Sequence, residues 1–228
     1  MDRDEGIEEW TRAHERVIAL VGDLPAGRAA TTTVPACPDW SVRDLLSHMV
    51  GLGADVVAGD EPDDHNEAWT QKQVAARRDR DVAALIEEWR AVAEPLRAWM
   101  RAHGTRPLGD VVIHEQDLRG ALGEPGGQDT PGLAAIRDVC AGRVATGLAD
   151  VGAPGPIALV GTRWTWCSTG AVDDAAVEVR ATDFDLARAL MSRRSAHQLR
   201  ARTVRGDVEP YLPAFAVLGD LPAVDLSE

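Results

Sequence analysis

Lysine is almost missing from this chain: Lys72 is the single one among 24 basic residues, so the positive charge is arginine. Against it stand 37 acidic residues and a net charge of −13, which repels phosphate backbones and anionic lipid surfaces and argues against a nucleic-acid partner. Phenylalanine numbers two and tyrosine one, so leucine, valine, alanine and seven tryptophans must supply the core. The three cysteines, Cys37, Cys140 and Cys167, are odd in number and far apart, without CxxC spacing. A disulfide framework is excluded and a reducing cytoplasm is expected. The polar, acidic N-terminus lacks a signal-peptide pattern, and no apolar run approaches the roughly 20 residues needed to span a bilayer. No internal repeat, low-complexity tract or glycine-rich phosphate loop occurs. The expectation is a cytoplasmic monomer or homodimer whose partners are small molecules, not membranes or nucleic acids.

Helical spacing is what the chain has in abundance. Ile7, Trp10, His14, Val17 and Val21 recur at that spacing until Gly22-Asp23-Leu24-Pro25 stops them, and Thr31 to Asp39 reads as an irregular connector. Ser41 followed by Asp44 forms a capping-box pattern that opens a second helix, with Leu45, Leu46, Met49 and Leu52 on its core stripe and His48 at the stripe's edge. A helical pattern from Glu67 to Met100 carries a break near Arg78-Asp79-Arg80-Asp81, and Pro95 should kink it or reset its start. Pro107 begins the next helix, which ends at Gly123 to Gly127. Another, from Pro131 to Asp150, buries Leu133, Ile136, Val139, Cys140, Val144 and Leu148. After the linker Val151 to Pro156 the texture changes to short strands at 157–160, 163–167 and 176–180 and a helix capped by Thr182-Asp183-Phe184-Asp185. The fold class is therefore α+β: an N-terminal helical bundle over 1–152 and a small C-terminal α+β domain over 157–228.

One stretch concentrates chemistry. In the helix from Pro107, Asp110, His114 and Asp117 fall on one narrow stripe, because residues three and four apart lie above one another. An i, i+4 carboxylate–imidazole pair offers a metal two ligands from one turn, and His48 on a second helix is the candidate third. Two imidazoles and a carboxylate with an open position form a catalytic ligand set for zinc. The competing reading makes His48 a hydrogen-bonded border residue and the stripe a solvated face. Val111 to Ile113 count against it, since an apolar helix with three ionisable groups on one stripe needs a partner for them. Asp117 stays open between supporting a ligand and touching substrate, with Glu115 and Arg119 facing away. His14, His65, His103 and His197 have no partner at metal spacing, although His14 could line the cavity. Cys37 lies in a connector without a base beside it, and Cys140 and Cys167 read as core.

The run Cys37-Pro38-Asp39-Trp40-Ser41-Val42-Arg43-Asp44-Leu45-Leu46-Ser47-His48 resembles the C-P-x-W-x-V-x-D-L-x-x-H signature of the mycothiol-dependent maleylpyruvate isomerase family, within the DinB-like helical-bundle enzymes. Asp110 to Gly123 is similar to that family's carboxylate-x-x-x-His-x-x-Asp segment. Val177 to Arg180, Phe184 to Leu190 and Arg193 to Gln198 are similar to its appended α+β domain. The resemblance implies a DinB-like up-down four-helix bundle and a divalent metal, usually zinc, held by His48, Asp110 and His114. Members with glutamate at the position of Asp110 would hold the metal one methylene further from the helix. It also implies mycothiol as thiol cofactor or co-substrate. The expected activity is isomerisation or thiol transfer on a small, maleylpyruvate-like electrophile.

Arg193 and Arg194 are the candidate clamps for a substrate carboxylate, because the guanidinium fork matches carboxylate geometry; Arg43 is a weaker one. With Trp40, which also reads as a hydrophobic staple at the helix entrance, Arg43 is the candidate contact for the cofactor. Two other classes stay open. One is a binding or regulatory protein that keeps the bundle without turnover, and the other a zinc hydrolase using bound hydroxide, with Asp117 or Glu115 as base.

Overall fold

A computed structural model describes residues 1–25, 27–64 and 66–227; His65 lies outside them. The order is α1 (Arg3–Gly22), α2 (Arg28–Thr31), β1 (Thr33–Val34), β2 (Cys37–Ser41), α3 (Val42–Ala58), α4 (Glu67–Ala76), α5 (Val82–His103), α6 (Pro107–Leu122) and α7 (Pro131–Asp150), then β3 (Ile157–Val160), β4 (Thr165–Cys167), β5 (Val177–Arg180), α8 (Asp183–Leu190), α9 (Ala196–Arg202) and β6 (Thr203–Arg205). Short 3-10 turns cover Val172–Asp174 and Glu209–Phe215. The α+β class is borne out.

Chain packing divides the molecule into two compact units, Met1–Gly127 and Gln128–Ser227. In the first, α1, α5, α3 and α6 pack in a closed ring of neighbours, each presenting an apolar stripe. Val17, Leu45, Leu46, Leu85, Leu96 and Leu118 are wholly buried there, each contributing about 1.5–3 kcal/mol. The caps are where the residues place them. Asp44 donates its backbone N–H to Ser41 Oγ at 3.2 Å, and Ser41 returns its own to Asp44 Oδ2 at 3.1 Å. Burial raises the Asp44 pKa, but the Ser41 hydroxyl, which donates to Oδ2 at 2.6 Å, the Ser41 backbone N–H and Arg43 outweigh it and hold the carboxyl below its usual range. Gly123 closes α6 in the left-handed region at φ 70°.

Three local expectations change. Of the two effects expected of Pro95, a kink or a reset start, the reset does not occur: α5 runs from Val82 through it to His103, at the cost of one missing backbone hydrogen bond inside a helix already fixed by its buried face. The segment before α3 is an antiparallel β1–β2 hairpin that pairs Thr33 with Ser41 and Val34 with Cys37. In α7, Val139 is 52% exposed while Ala141 is buried, so the inward face lies slightly round from the stripe expected there.

In the second unit α7 packs on α8 and on Glu209–Phe215. This is why the division falls at Gly127/Gln128, whereas the linker signal at Val151 to Pro156 had suggested 152. The sheet order is β4-β3-β5-β6, with β3 and β5 parallel and the outer pairs antiparallel. Buried on both faces, β3 is a continuous apolar run, Ile157-Ala158-Leu159-Val160.

Candidate metal centre

Asp110 and His114 project from successive turns of α6, and His48 meets them from α3. His48 Nε2 is 3.1 Å from Asp110 Oδ1, and His114 Nε2 is 3.5 Å from the same oxygen. The imidazoles meet edge to face, centroids 5.2 Å apart. Their three donor atoms lie within 4.8 Å of one another, and no side chain of the trio is more than 13% exposed. So much basic and acidic functionality in so little water needs a shared cation or proton.

The far nitrogen of each histidine is also held. His48 Nδ1 is 2.7 Å from Gln73 Oε1, and Gln73 Nε2 donates to Asp55 Oδ2 at 2.8 Å. The carboxylate of Asp55 accepts only, so the amide must point its NH2 there and its oxygen at His48. That oxygen requires a proton on Nδ1, which leaves the Nε2 lone pair facing Asp110. His114 Nδ1 likewise lies 2.9 Å from Asp117 Oδ2. Both imidazoles therefore present Nε2 to one point, the arrangement by which histidine ligands are oriented. Without a cation, burial pushes the His48 pKa down, but the charge and hydrogen bond of Asp110, with Gln73, outweigh it and raise it.

Asp117 thus supports His114, one of the two roles its position on the stripe allows. Glu115, on the opposite face, is taken up by Arg16 through two bonds of 2.8 and 2.7 Å and by Arg119 at 3.0 Å. It ties α6 to α1, and with both oxygens occupied it is no general base for bound hydroxide. Trp40 on β2 stands against His48, ring centroids 5.2 Å apart, forming one wall. Arg43, one turn before His48, reaches Asp44 at 3.3 Å, and its buried Nε has no hydrogen-bond partner among the described residues.

Arg193 and Arg194 lie in the second unit, buried after α8. Arg194 Nε donates to Asp185 Oδ1 at 2.9 Å and its Nη1 to the Arg193 carbonyl at 2.7 Å; Arg193 Nη1 donates to the Met191 carbonyl at 3.2 Å. His14 is wedged between Trp10 and Trp89 and belongs to neither group of metal-spaced donor atoms among the described residues. His103 bonds the Trp99 carbonyl and His197 bonds Asp225. A cleft of about 660 Å3 lined by Ile18, Leu24, Ile86 and Arg90 shares no residue with the trio.

The sequence does not single out Gln73, and it reads Cys37 as a connector thiol without a base beside it, whereas the fold brings Cys37 to Asp117 and His114. Gln73 sits on a short helix with no chemical motif around it, and its place is set by how α4 packs on α3. The Cys37 Sγ lies 4.0 Å from Asp117 Oδ2 because β1 and β2 pair, a contact that no local pattern announces.

The first unit is thus a four-helix bundle carrying a two-histidine, one-carboxylate cluster. Residues 10–107 match the family model described as the mycothiol maleylpyruvate isomerase N-terminal domain, which bears out the resemblance and includes His48, Trp40 and Gln73. Asp110 and His114 lie beyond the matched segment. Two crystal structures of the mycothiol-dependent maleylpyruvate isomerase share the fold. A variant with a histidine replaced by alanine matches with TM-score 0.62 at 13% identity, and the other structure with 0.58 at 12%; both alignments cover 92% of this chain and 96% of the other. No curated protein matches the chain by sequence. Among the described residues, no helix is long and apolar enough to cross a membrane.

Proposed function

We propose that this chain is a metal-dependent, mycothiol-using enzyme that adds the thiol to a small, maleylpyruvate-like electrophile. Release of the thiol after bond rotation would make it an isomerase, and retention a transferase. The observation that carries the reading is the convergence of His48 Nε2, His114 Nε2 and Asp110 Oδ1, with both Nδ1 atoms held by Gln73 and Asp117. Two neutral imidazoles and one carboxylate fit a zinc-like ion with a position left open. A divalent ion held there would lower the pKa of a bound thiol so that it is a thiolate at neutral pH.

The remaining work belongs to the chain's own side chains. Gln73 and Asp117 keep the Nε2 atoms deprotonated and aimed, while Trp40 excludes water from one side. With Arg43, Trp40 is the proposed contact for the thiol cofactor. Arg193 and Arg194 are the proposed carboxylate clamps, and the enzyme is proposed to act in the cytoplasm as a monomer or homodimer. The test is conversion of maleylpyruvate by zinc-loaded protein with and without mycothiol. Thiol-dependent appearance of the trans isomer supports the isomerase, and a stoichiometric thioether supports the transferase. Turnover that ignores the thiol, or none at full zinc occupancy, would remove the reading.

A further inference from the structure

His114 belongs to two groups of donor atoms. Besides the trio with His48 and Asp110, it joins Cys37 and Asp117, whose donor atoms also lie within 4.8 Å of one another. Asp117 Oδ2 is 2.9 Å from His114 Nδ1 and 4.0 Å from Cys37 Sγ. A tetrahedral ion with bonds of roughly 2.0–2.3 Å spaces its donors about 3.3–3.8 Å apart, and these two distances bracket that range. Asp117 is fully buried, and Cys37 is half-buried, so the group is built into the wall of the bundle and still reachable.

We propose that Cys37, His114 and Asp117 form a second cation position, selective for thiophilic divalent ions such as Cd2+, that competes with the first for His114. Sulfur in the donor set favours softer ions than the nitrogen and oxygen donors of the first trio. Binding exchanges the Cys37 thiol proton for a sulfur–metal bond and releases that proton to water. A neutral imidazole has a single ring lone pair. Occupying the first position uses His114 Nε2 and leaves a proton on Nδ1 facing Asp117; occupying the second uses Nδ1 and leaves the proton on Nε2 facing Asp110. Each position therefore takes a ligand from the other. The competition rests on the metal reading above, whereas the Cys37 position does not.

The experiment is titration of the full chain with Cd2+, followed by thiolate-to-cadmium charge-transfer absorption, with circular dichroism confirming that every variant is folded. A band that saturates at one Cd2+ per chain is expected in the wild type, His48→Ala and Cys167→Ser. In Cys37→Ser the band should vanish, and in His114→Ala the Cd2+ needed should rise at least tenfold. In zinc-loaded protein, growth of the band should release zinc in step. Absence of the band from the wild type, or its survival in Cys37→Ser, overturns the position. Band growth without zinc release overturns the competition alone. A band in protein that binds no zinc in any variant would sink the first reading while leaving this one standing.

Discussion

A neutral imidazole ligates through whichever nitrogen lacks the proton, so the residue behind a histidine matters as much as the histidine. At His48 that residue is Gln73, fixed in turn by Asp55. Replacing Gln73 with leucine should weaken zinc binding about 10–100-fold with little loss of helicity, and Gln73→Glu should not restore it in full, because a glutamate that accepts from Nδ1 turns its other oxygen on the Asp55 carboxylate with no proton to donate. Competition against a chelator of known affinity measures both, and equal affinities in leucine and wild type would remove Gln73 from the site. His48→Ala and His114→Ala should each abolish stoichiometric zinc, and Arg194→Ala should spare it. The sequence made half of this visible. Asp110, His114 and Asp117 are spaced by the helix itself, so their convergence follows from one element, and His48 stood out at the edge of a core stripe. Gln73 depends on contact between two helices, which no local spacing encodes.

At the scale of elements, the approach of α4 to α3 depends on Gly51. A Cβ there would lie 2.5 Å from Gln73 Cβ, closer than side chains tolerate. Gly51→Ala should therefore displace α4 and lower zinc affinity as Gln73→Leu does, even though alanine is the better helix former by about 1 kcal/mol. The same titration checks it, and unchanged affinity would show that α4 can yield without moving Gln73. The turn after α8 poses a different question, since Arg193 to Gln198 can be read as substrate-binding or architectural. Ser192 holds a positive φ of 57° and donates to the Phe215 carbonyl, Ser195 caps α9, and Arg194 is paired with Asp185. Burial raises the Asp185 pKa, but Arg194 and Arg202 outweigh it and hold it low, so the pair's stabilisation is present at neutral pH and lost as acid protonates Asp185. Arg194→Ala should cost about 1.5–3 kcal/mol in urea unfolding, less than breaking a fully buried pair, because Asp185 stays partly wetted and keeps Arg202 at 3.2 Å. The proposed clamp role requires a rise in KM in the same variant, and an unchanged KM would leave Arg194 architectural. The division between units was less legible than the helices, because the glycine- and proline-rich linker after α7 is a strong local signal while the face that attaches α7 to α8 is a tertiary fact.

For the whole molecule, acid sets several ionisations against one another. Protonating carboxylates relieves the self-repulsion of a chain with a net charge of −13 at pH 7. His48 in metal-free protein also favours the folded state as pH falls, because its folded pKa is raised; that stabilisation is full below the unfolded value and disappears as pH rises. His14 works the other way. Burial between Trp10 and Trp89, with Arg97 and Arg90 nearby, lowers its pKa from 6.5 to about 4. The folded state therefore resists the proton that the unfolded chain accepts, and stability is lost as pH falls through the window from 6.5 to about 4. The full difference is worth at most about 3 kcal/mol. Comparing urea unfolding of the wild type and His14→Phe across that window isolates the contribution, since phenylalanine can keep the aromatic stack but binds no proton, while His48 and the surface carboxylates act equally in both. The wild type should lose up to about 3 kcal/mol more than the variant between neutral pH and pH 4, with the gap opening below 6.5. Parallel pH profiles would mean that the folded bundle admits the proton at His14 as readily as the unfolded chain does.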